Sequence, residues 1–162
     1  MKEISIRSSD FVVSKELLDM LCKGVASELQ MSIQCMWQHI TVKGIEGAAV
    51  ETILRQIAIE KMKSAEALAK RLVYLAGVLP VTFDPAHVGH GLDDMLKENI
   101  QMEEETTNLY RQSIQLAGKE GDFTTRRLLE EVLSNEEEHL DKFSKLLVGM
   151  TKPFTQLKLD SD

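Results

Sequence analysis

Asn135-Glu136-Glu137-Glu138-His139 lies inside a helical run near the C-terminus. Around it Leu129, Val132, Leu133, Leu140, Phe143, Leu146 and Leu147 recur at the three-and-four spacing of one helix face. Glu136 and His139 fall within that apolar stripe; Glu137, Glu138 and Asp141 fall outside it. A carboxylate and an imidazole three residues apart on a buried face need a partner. A divalent metal suits both, with Glu supplying oxygen and neutral His nitrogen. The simpler reading is a solvated acidic patch whose histidine touches the core, and so short a motif does not decide between them.

The bulk properties narrow the field. At 162 residues the chain fits one domain with a sizeable core. Nineteen basic against 26 acidic residues give a net charge of −7. There is no basic stripe of the kind that phosphate neutralisation requires, so no nucleic-acid partner is expected. Cys22 and Cys35 lie on one expected helix, about 20 Å apart at 1.5 Å per residue, and cannot pair. A reducing cytoplasm is the simplest setting for them. No apolar run approaches membrane-spanning length, and Met1-Lys2-Glu3-Ile4-Ser5 lacks a signal-peptide core. No membrane partner is expected. Three prolines and few alternating β-branched runs are the composition of an all-α protein.

Taken in order, residues 1–13 form an N-terminal extension with a short alternating piece, Ile4-Ser5-Ile6. Ser14 is an N-cap candidate for a first helix running to about Val42. Its inward stripe reads Leu17/Leu18, Leu21, Val25, Glu28, Ser32, Cys35 and Val42, with Glu28 standing where an apolar residue is expected. Gly44 and Gly47 suggest a tight turn. A second helix runs to about Leu75 with Gly77 as its stop. Its stripe is Val50, Ile53, Ile57, Lys61, Ser64, Leu68, Leu72 and Leu75, again interrupted by two polar residues. Residues 78–90, with Pro80 and Pro85, form an extended link long enough to cross a bundle. The third helix spans about Gly91 to Ala117 and presents Leu92, Met95/Leu96, Asn99, Glu103, Thr106, Tyr110 and Ser113 on one face. Gly118 and Gly121 mark a turn, and a fourth helix runs from about Phe123 to Val148. The bundle thus occupies residues 14–150, and residues 151–162 are a short polar tail.

Two helical hairpins joined by one crossover between the second and third helices describe an antiparallel four-helix bundle of the ferritin-like kind, in which metals sit between facing helices. The hairpins also repeat. Glu103 precedes Glu136 by 33 residues and His139 by 36; from Glu28 the same offsets reach Lys61 and Ser64. Four inward polar sites at one depth, matched in both hairpins, are far less accidental than one Glu-x-x-His.

On these residues the sequence resembles the bacterioferritins and their relatives, over roughly residues 15–148. The likeness includes Ala26-Ser27-Glu28-Leu29, Glu60-Lys61-Met62-Lys63, Arg71-Leu72-Val73-Tyr74-Leu75-Ala76-Gly77, Asp94-Met95-Leu96-Lys97 and Leu128-Leu129-Glu130-Glu131-Val132-Leu133. The resemblance implies a hollow-cage oligomer that oxidises Fe²⁺ at a di-iron centre and stores the product. It implies metal ligation by Glu28, Glu103, Glu136 and His139. It also implies a glutamate at position 61 and a histidine at 64, where this chain has Lys61 and Ser64, so ferroxidase-type activity is expected to be impaired. Glu60 is one residue away but rotated by about 100°, and replaces the missing ligand only if the helix re-registers. Met62 stands where haem-containing bacterioferritins place a haem ligand between subunits; more simply, it is an interface or core methionine. Tyr110 either hydrogen-bonds a ligand carboxylate or only packs the bundle. His87-x-x-His90 in the crossover reads as solvated.

With Glu28, Glu103 and Glu136 ionised the site sums to −3, and Lys61 brings it to −2. That balances one divalent cation, so iron is expected at one per subunit or none. Three readings stay open: an iron-handling oligomer with a single-metal site, a structural bundle closed by a Lys61–carboxylate network, and an oxidase or peroxidase completed between subunits. A homo-oligomer, a dimer at minimum and a cage at most, is expected from a second apolar set on the first two helices, comprising Ile59 and Met62 with Met31 and Trp37 as candidates.

Overall fold

The computed structural model describes residues 12–151, all of whose regular structure is helical. Four helices follow in order: α1 (Lys15–Thr41), α2 (Gly44–Tyr74), α3 (Leu92–Lys119) and α4 (Phe123–Thr151). Each spans roughly 40 Å at 1.5 Å per residue, so four stripes can face one another over their whole length. Helices α1 and α2 pack as one hairpin and α3 and α4 as the other, with lighter contact from α1 to α3 and lighter still from α2 to α4. Ile4-Ser5-Ile6 and the tail from Pro153 lie outside the described residues.

The core is two apolar layers. Leu17, Leu21 and Val25 of α1 meet Leu68 and Leu72 of α2, Ala117 of α3, and Leu129 and Val132 of α4. At the other end Met31 and Cys35 meet Val50, Leu54 and Ile57, Leu96 and Phe143. Helix α2 therefore starts in the second layer and finishes in the first, and α3 does the same. The two run in one direction, which obliges the link between them to travel back along the bundle. Met31 belongs to this core and is fully buried; the outer apolar set expected on α1 and α2 does not include it.

Helix ends differ from the sequence expectation where close contacts decide them. Ser14 does cap α1, its Oγ accepting from the Leu17 N–H at 3.1 Å. The Gly44–Gly47 turn does not form. Those residues are the first turn of α2, and the connection is only Val42-Lys43. Gly44 takes φ +85° at the entry, and a Cβ on Gly47 would meet Val42 Cγ2 at 2.9 Å. Helix α2 ends as the glycine predicted, by a different device. Ala76 takes the left-handed conformation, φ 60°, while the Gly77 N–H reaches back to the Leu72 carbonyl at 2.8 Å. Between α3 and α4, Asp122 caps α4 through the Thr125 N–H at 3.0 Å and pairs with Arg71 of α2 at 2.7 Å.

A polar ladder on α1, which the apolar stripes do not announce, anchors the crossover. Gln30, Gln34 and Gln38 recur every fourth residue and are all buried. Gln30 Nε2 donates to the Pro85 carbonyl at 3.1 Å and Gln38 Nε2 to that of Val88 at 3.2 Å. Gln34 Oε1 accepts from the His87 N–H at 2.8 Å, and its Nε2 donates to Asn99 Oδ1 at 2.9 Å. Asn99 Nδ2 in turn donates to Gln38 Oε1 at 2.7 Å. Each glutamine bonds the crossover, and Gln34 and Gln38 are also joined through Asn99; such mutual satisfaction is the condition for a polar network to be tolerated in a core. Asn99→Ala removes the link and leaves two buried glutamine groups unpaired. We expect a loss of about 1–3 kcal/mol in denaturant unfolding, with faster hydrogen exchange at the His87 amide; unchanged exchange there would show that the ladder does not hold the crossover.

Candidate metal centre

Between the two apolar layers every helix contributes a charged or polar side chain at the same depth. Glu28 (α1), Lys61 (α2), Glu103 (α3) and Glu136 (α4) are fully buried, and His139 is 1% exposed. Five of the six residues singled out by the matched offsets, all but Ser64, therefore converge at mid-bundle. Lys61 Nζ lies 2.8 Å from Glu103 Oε2, in a close hydrogen bond to Glu136 Oε2, and 3.8 Å from Glu28 Oε2. One ammonium thus serves three carboxylates. Glu28 is held on its other oxygen by the Tyr110 hydroxyl, which donates to Oε1 at 2.5 Å. The Tyr110 ring needs room to make that bond, and Gly24 provides it: a Cβ there would stand 3.0 Å from Tyr110 Cε1.

The side of the cluster away from Lys61 is unfinished. Glu103 Oε1, Glu136 Oε1 and His139 Nδ1 are buried there with no hydrogen-bond partner, as is Glu28 Oε2, which instead faces Lys61. The first three gather. His139 Nδ1 is 3.7 Å from both Glu103 Oε1 and Glu136 Oε1, and one donor atom from each of the three residues lies within 4.8 Å of the others. Two carboxylate oxygens and an imidazole nitrogen at these separations make a donor set that a single divalent ion of mixed oxygen–nitrogen preference could span. Lys61 fills the opposite side, and Ser64 offers only a short hydroxyl where the second hairpin has His139.

A family model for the ferritin-like domain matches residues 18–152. The chain belongs to the ferritin-like family. It is 27% identical over 133 residues to a bacterioferritin of Desulfovibrio desulfuricans, which is 81% of this chain and 74% of that protein. To a bacterioferritin of Rhodobacter capsulatus it is 26% identical over 128 residues, 78% of this chain and 79% of the other. A solved ferritin-like, diiron-carboxylate protein from Bacillus anthracis aligns with a TM-score of 0.79, covering 82% of this chain and 96% of that one, and at 22% identity the likeness is one of fold.

Other residues of this ferritin-like chain fall away from the centre. Met62, next to Lys61, points outward and is 49% exposed. His87 and His90 are exposed on the crossover, as solvated histidines would be, and among the described residues the three-residue donor group is the only one of its kind. A hollow of about 850 Å³ between α1, α3 and the crossover is lined by none of the five central residues. No helix among the described residues is long and apolar enough to cross a membrane. Glu60 takes a place at the edge of the site. Without any re-registration of α2 its Oε2 reaches His139 Nε2 at 2.7 Å. It approaches the outer ring nitrogen, so it joins the site's rim and does not replace the glutamate missing at 61.

Burial sets the protonation states. It pushes the Glu28 carboxyl up to about 8, with Lys61 opposing and Glu136 reinforcing. Glu103 is likewise raised well above the ordinary carboxylate range by burial. Burial also acts on Glu136, but the Lys61 ammonium, which also donates a hydrogen bond to it, outweighs burial and holds this carboxyl low. Burial lowers His139, keeping the imidazole neutral. The metal-free cluster therefore carries less negative charge than the −2 obtained by ionising all three carboxylates, because desolvation retains protons on two of them.

A raised carboxyl makes stability depend on pH with a definite sign. The unfolded chain loses the Glu28 proton near the ordinary 4.5, while the folded chain holds it to about 8. Between those values the native state binds the extra proton, so stability falls as pH rises. Glu103 acts in the same direction. His139, which burial holds below its ordinary 6.5, acts the other way up to that value, so we expect the metal-free protein to unfold at progressively lower denaturant between about pH 6.5 and pH 8, and Glu28→Gln, with no proton to lose, to flatten that decline. A parent protein whose stability rises across the window would refute the assignment.

Proposed function

We propose that this chain is an iron-binding, bacterioferritin-like protein whose centre takes one metal per subunit, held by Glu103 Oε1, Glu136 Oε1 and His139 Nδ1. The observation that carries this reading is the convergence of three orphaned buried donor atoms, since burying such groups unpaired costs free energy that a ligand would recover. Iron is the metal chosen because the relatives are bacterioferritins. An iron ion bound there supplies one-electron chemistry. Lys61 supplies fixed positive charge on the side where a second metal would stand, and Tyr110 holds Glu28 there. Uptake must expel the proton that burial keeps on Glu103, so binding strengthens as pH rises.

A second reading has its own support. The Lys61 network closes the core without metal, each of the three carboxylates lying within 4.0 Å of one buried ammonium, and such a bundle would be purely structural. A centre completed by a neighbouring subunit has less support, since all five residues are buried within one chain.

We also propose that the chain assembles at least as a two-fold dimer through α1 and α2. Trp37 and Ile40 of α1 and Ile45, Ile59 and Met62 of α2 are large apolar residues left open to solvent, and exposed clusters of this kind mark interfaces. Met62 is read as one of these interface residues; haem ligation across the two-fold is the alternative its exposure permits. A monomer in sedimentation at micromolar concentration would defeat the dimer.

Lys61→Glu/Ser64→His replaces the ammonium by a carboxylate and adds an imidazole. We expect the parent to bind one Fe²⁺ per subunit in anaerobic titration and to oxidise it slowly when oxygen is admitted. The double variant should bind two and react faster. Without metal it should be less stable by about 3–5 kcal/mol, the usual cost of breaking a buried pair, with stability recovered on adding metal. A parent that binds none supports the structural reading; one that binds two and reacts as fast as the variant removes Lys61 from the role assigned to it.

A further inference from the structure

A groove between α2 and α4, two helices in light contact, is bordered by Glu60, which also touches the buried cluster through His139. The groove holds about 200 Å³ and is lined in part by Glu60, Ser64, Leu128, Val132 and Asn135. Glu60 stands at its edge with a side chain 34% exposed, while the His139 ring it touches is 1% exposed. The carboxylate is fixed at both oxygens. Gln56, one turn earlier on α2, donates to Oε1 at 2.9 Å, and His139 Nε2 meets Oε2 at 2.7 Å.

We propose that Glu60 is a positioning residue for the metal site. Its Oε2 accepts the proton of His139 Nε2 and so holds the imidazole in the tautomer whose bare Nδ1 faces Glu103 and Glu136. The inference rests on the single-metal reading for its purpose and on geometry for its substance. A neutral imidazole has one N–H and one lone pair, and an ionised carboxylate only accepts. Were the proton on Nδ1, the Nε2 lone pair would face a carboxylate oxygen at 2.7 Å, two acceptors in contact. The Nδ1 proton would meanwhile point toward oxygens 3.7 Å away, too far for a hydrogen bond. The opposite tautomer satisfies Nε2 and leaves Nδ1 as a free donor of electrons toward the other two orphaned oxygens. A carboxylate on the far nitrogen also raises the basicity of the near one, which strengthens ligation. Position 60 can do this because its rotation from the inward stripe aims it at the rim, where it reaches the ring from behind.

The test separates the tautomer from the metal. In the full-length, metal-free protein with ring-¹⁵N histidine, His139 is assigned by comparison with His139→Gln, and its tautomer is read from ¹H–¹⁵N spectra. We expect the proton on Nε2 in the parent and in Glu60→Gln, whose amide oxygen still accepts, and a mixed or reversed tautomer in Glu60→Ala. Titration with Co²⁺ alone should then show Glu60→Ala ten- to a hundredfold weaker than the parent, with Glu60→Gln between them. A parent protonated at Nδ1, or an Nε2 proton unmoved in Glu60→Ala, overturns the proposal. So does a shifted tautomer with unchanged Co²⁺ affinity. If the tautomer shifts as expected and the parent binds no Co²⁺, the assignment of the ring stands and it is the single-metal reading that fails.

Discussion

One buried ammonium among three carboxylates is the constraint around which this bundle is arranged. Lys61 and its partners sit between two apolar layers with no access to water. Charges in such a place persist only if they satisfy one another, so the four helices are tied at a common depth. Burial moderates the cost by leaving protons on Glu28 and Glu103, while Lys61 and Glu136 stay charged as the central pair. The apolar layers above and below can then pack as ordinary hydrophobic cores, and the helices' register is fixed by the charged layer.

Direction of travel is the second requirement. Because α2 and α3 run the same way, the link between them has to return along the bundle, and extended chain cannot lie against a core with its carbonyls unpaired. The glutamine ladder on α1 meets that demand, and through Asn99 it joins the crossover to α3. The small residue at Gly24 and the hydroxyl of Tyr110 complete the link from α1 to α3 at the level of the charged layer.

The two hairpins carry different side chains at matched offsets. The α3–α4 hairpin presents Glu103, Glu136 and His139 with free donor atoms facing one another; the α1–α2 hairpin presents Glu28 with Lys61 and Ser64. On the single-metal reading the first hairpin keeps a ligand set and the second contributes charge and shape. Glu60 adds a feature the offsets do not contain, since it acts on the far side of an imidazole from the cluster.

The sequence by itself determined the helices, their inward stripes, the single crossover and the five residues of the charged layer. Each of these follows from periodicity or from a fixed offset along a regular helix, and such regularities are local or translational. It misjudged what depends on the partner surface. Met31 looked peripheral by its place on one helix, yet it closes a layer built by all four. The expected Gly44–Gly47 turn became the start of α2, because Gly47 packs against Val42. Gln30, Gln34 and Gln38 are polar residues at helical spacing, which on sequence alone is an outward face; only the crossover lying over them makes it an inward one. Glu60 reads from sequence as a modifier of the site that could ligate only from a re-registered helix, because one residue's rotation takes it off the stripe, and that rotation is what brings it behind His139. Side-chain reach across a gap between helices is decided by the packing of both, and no spacing along either chain segment contains it.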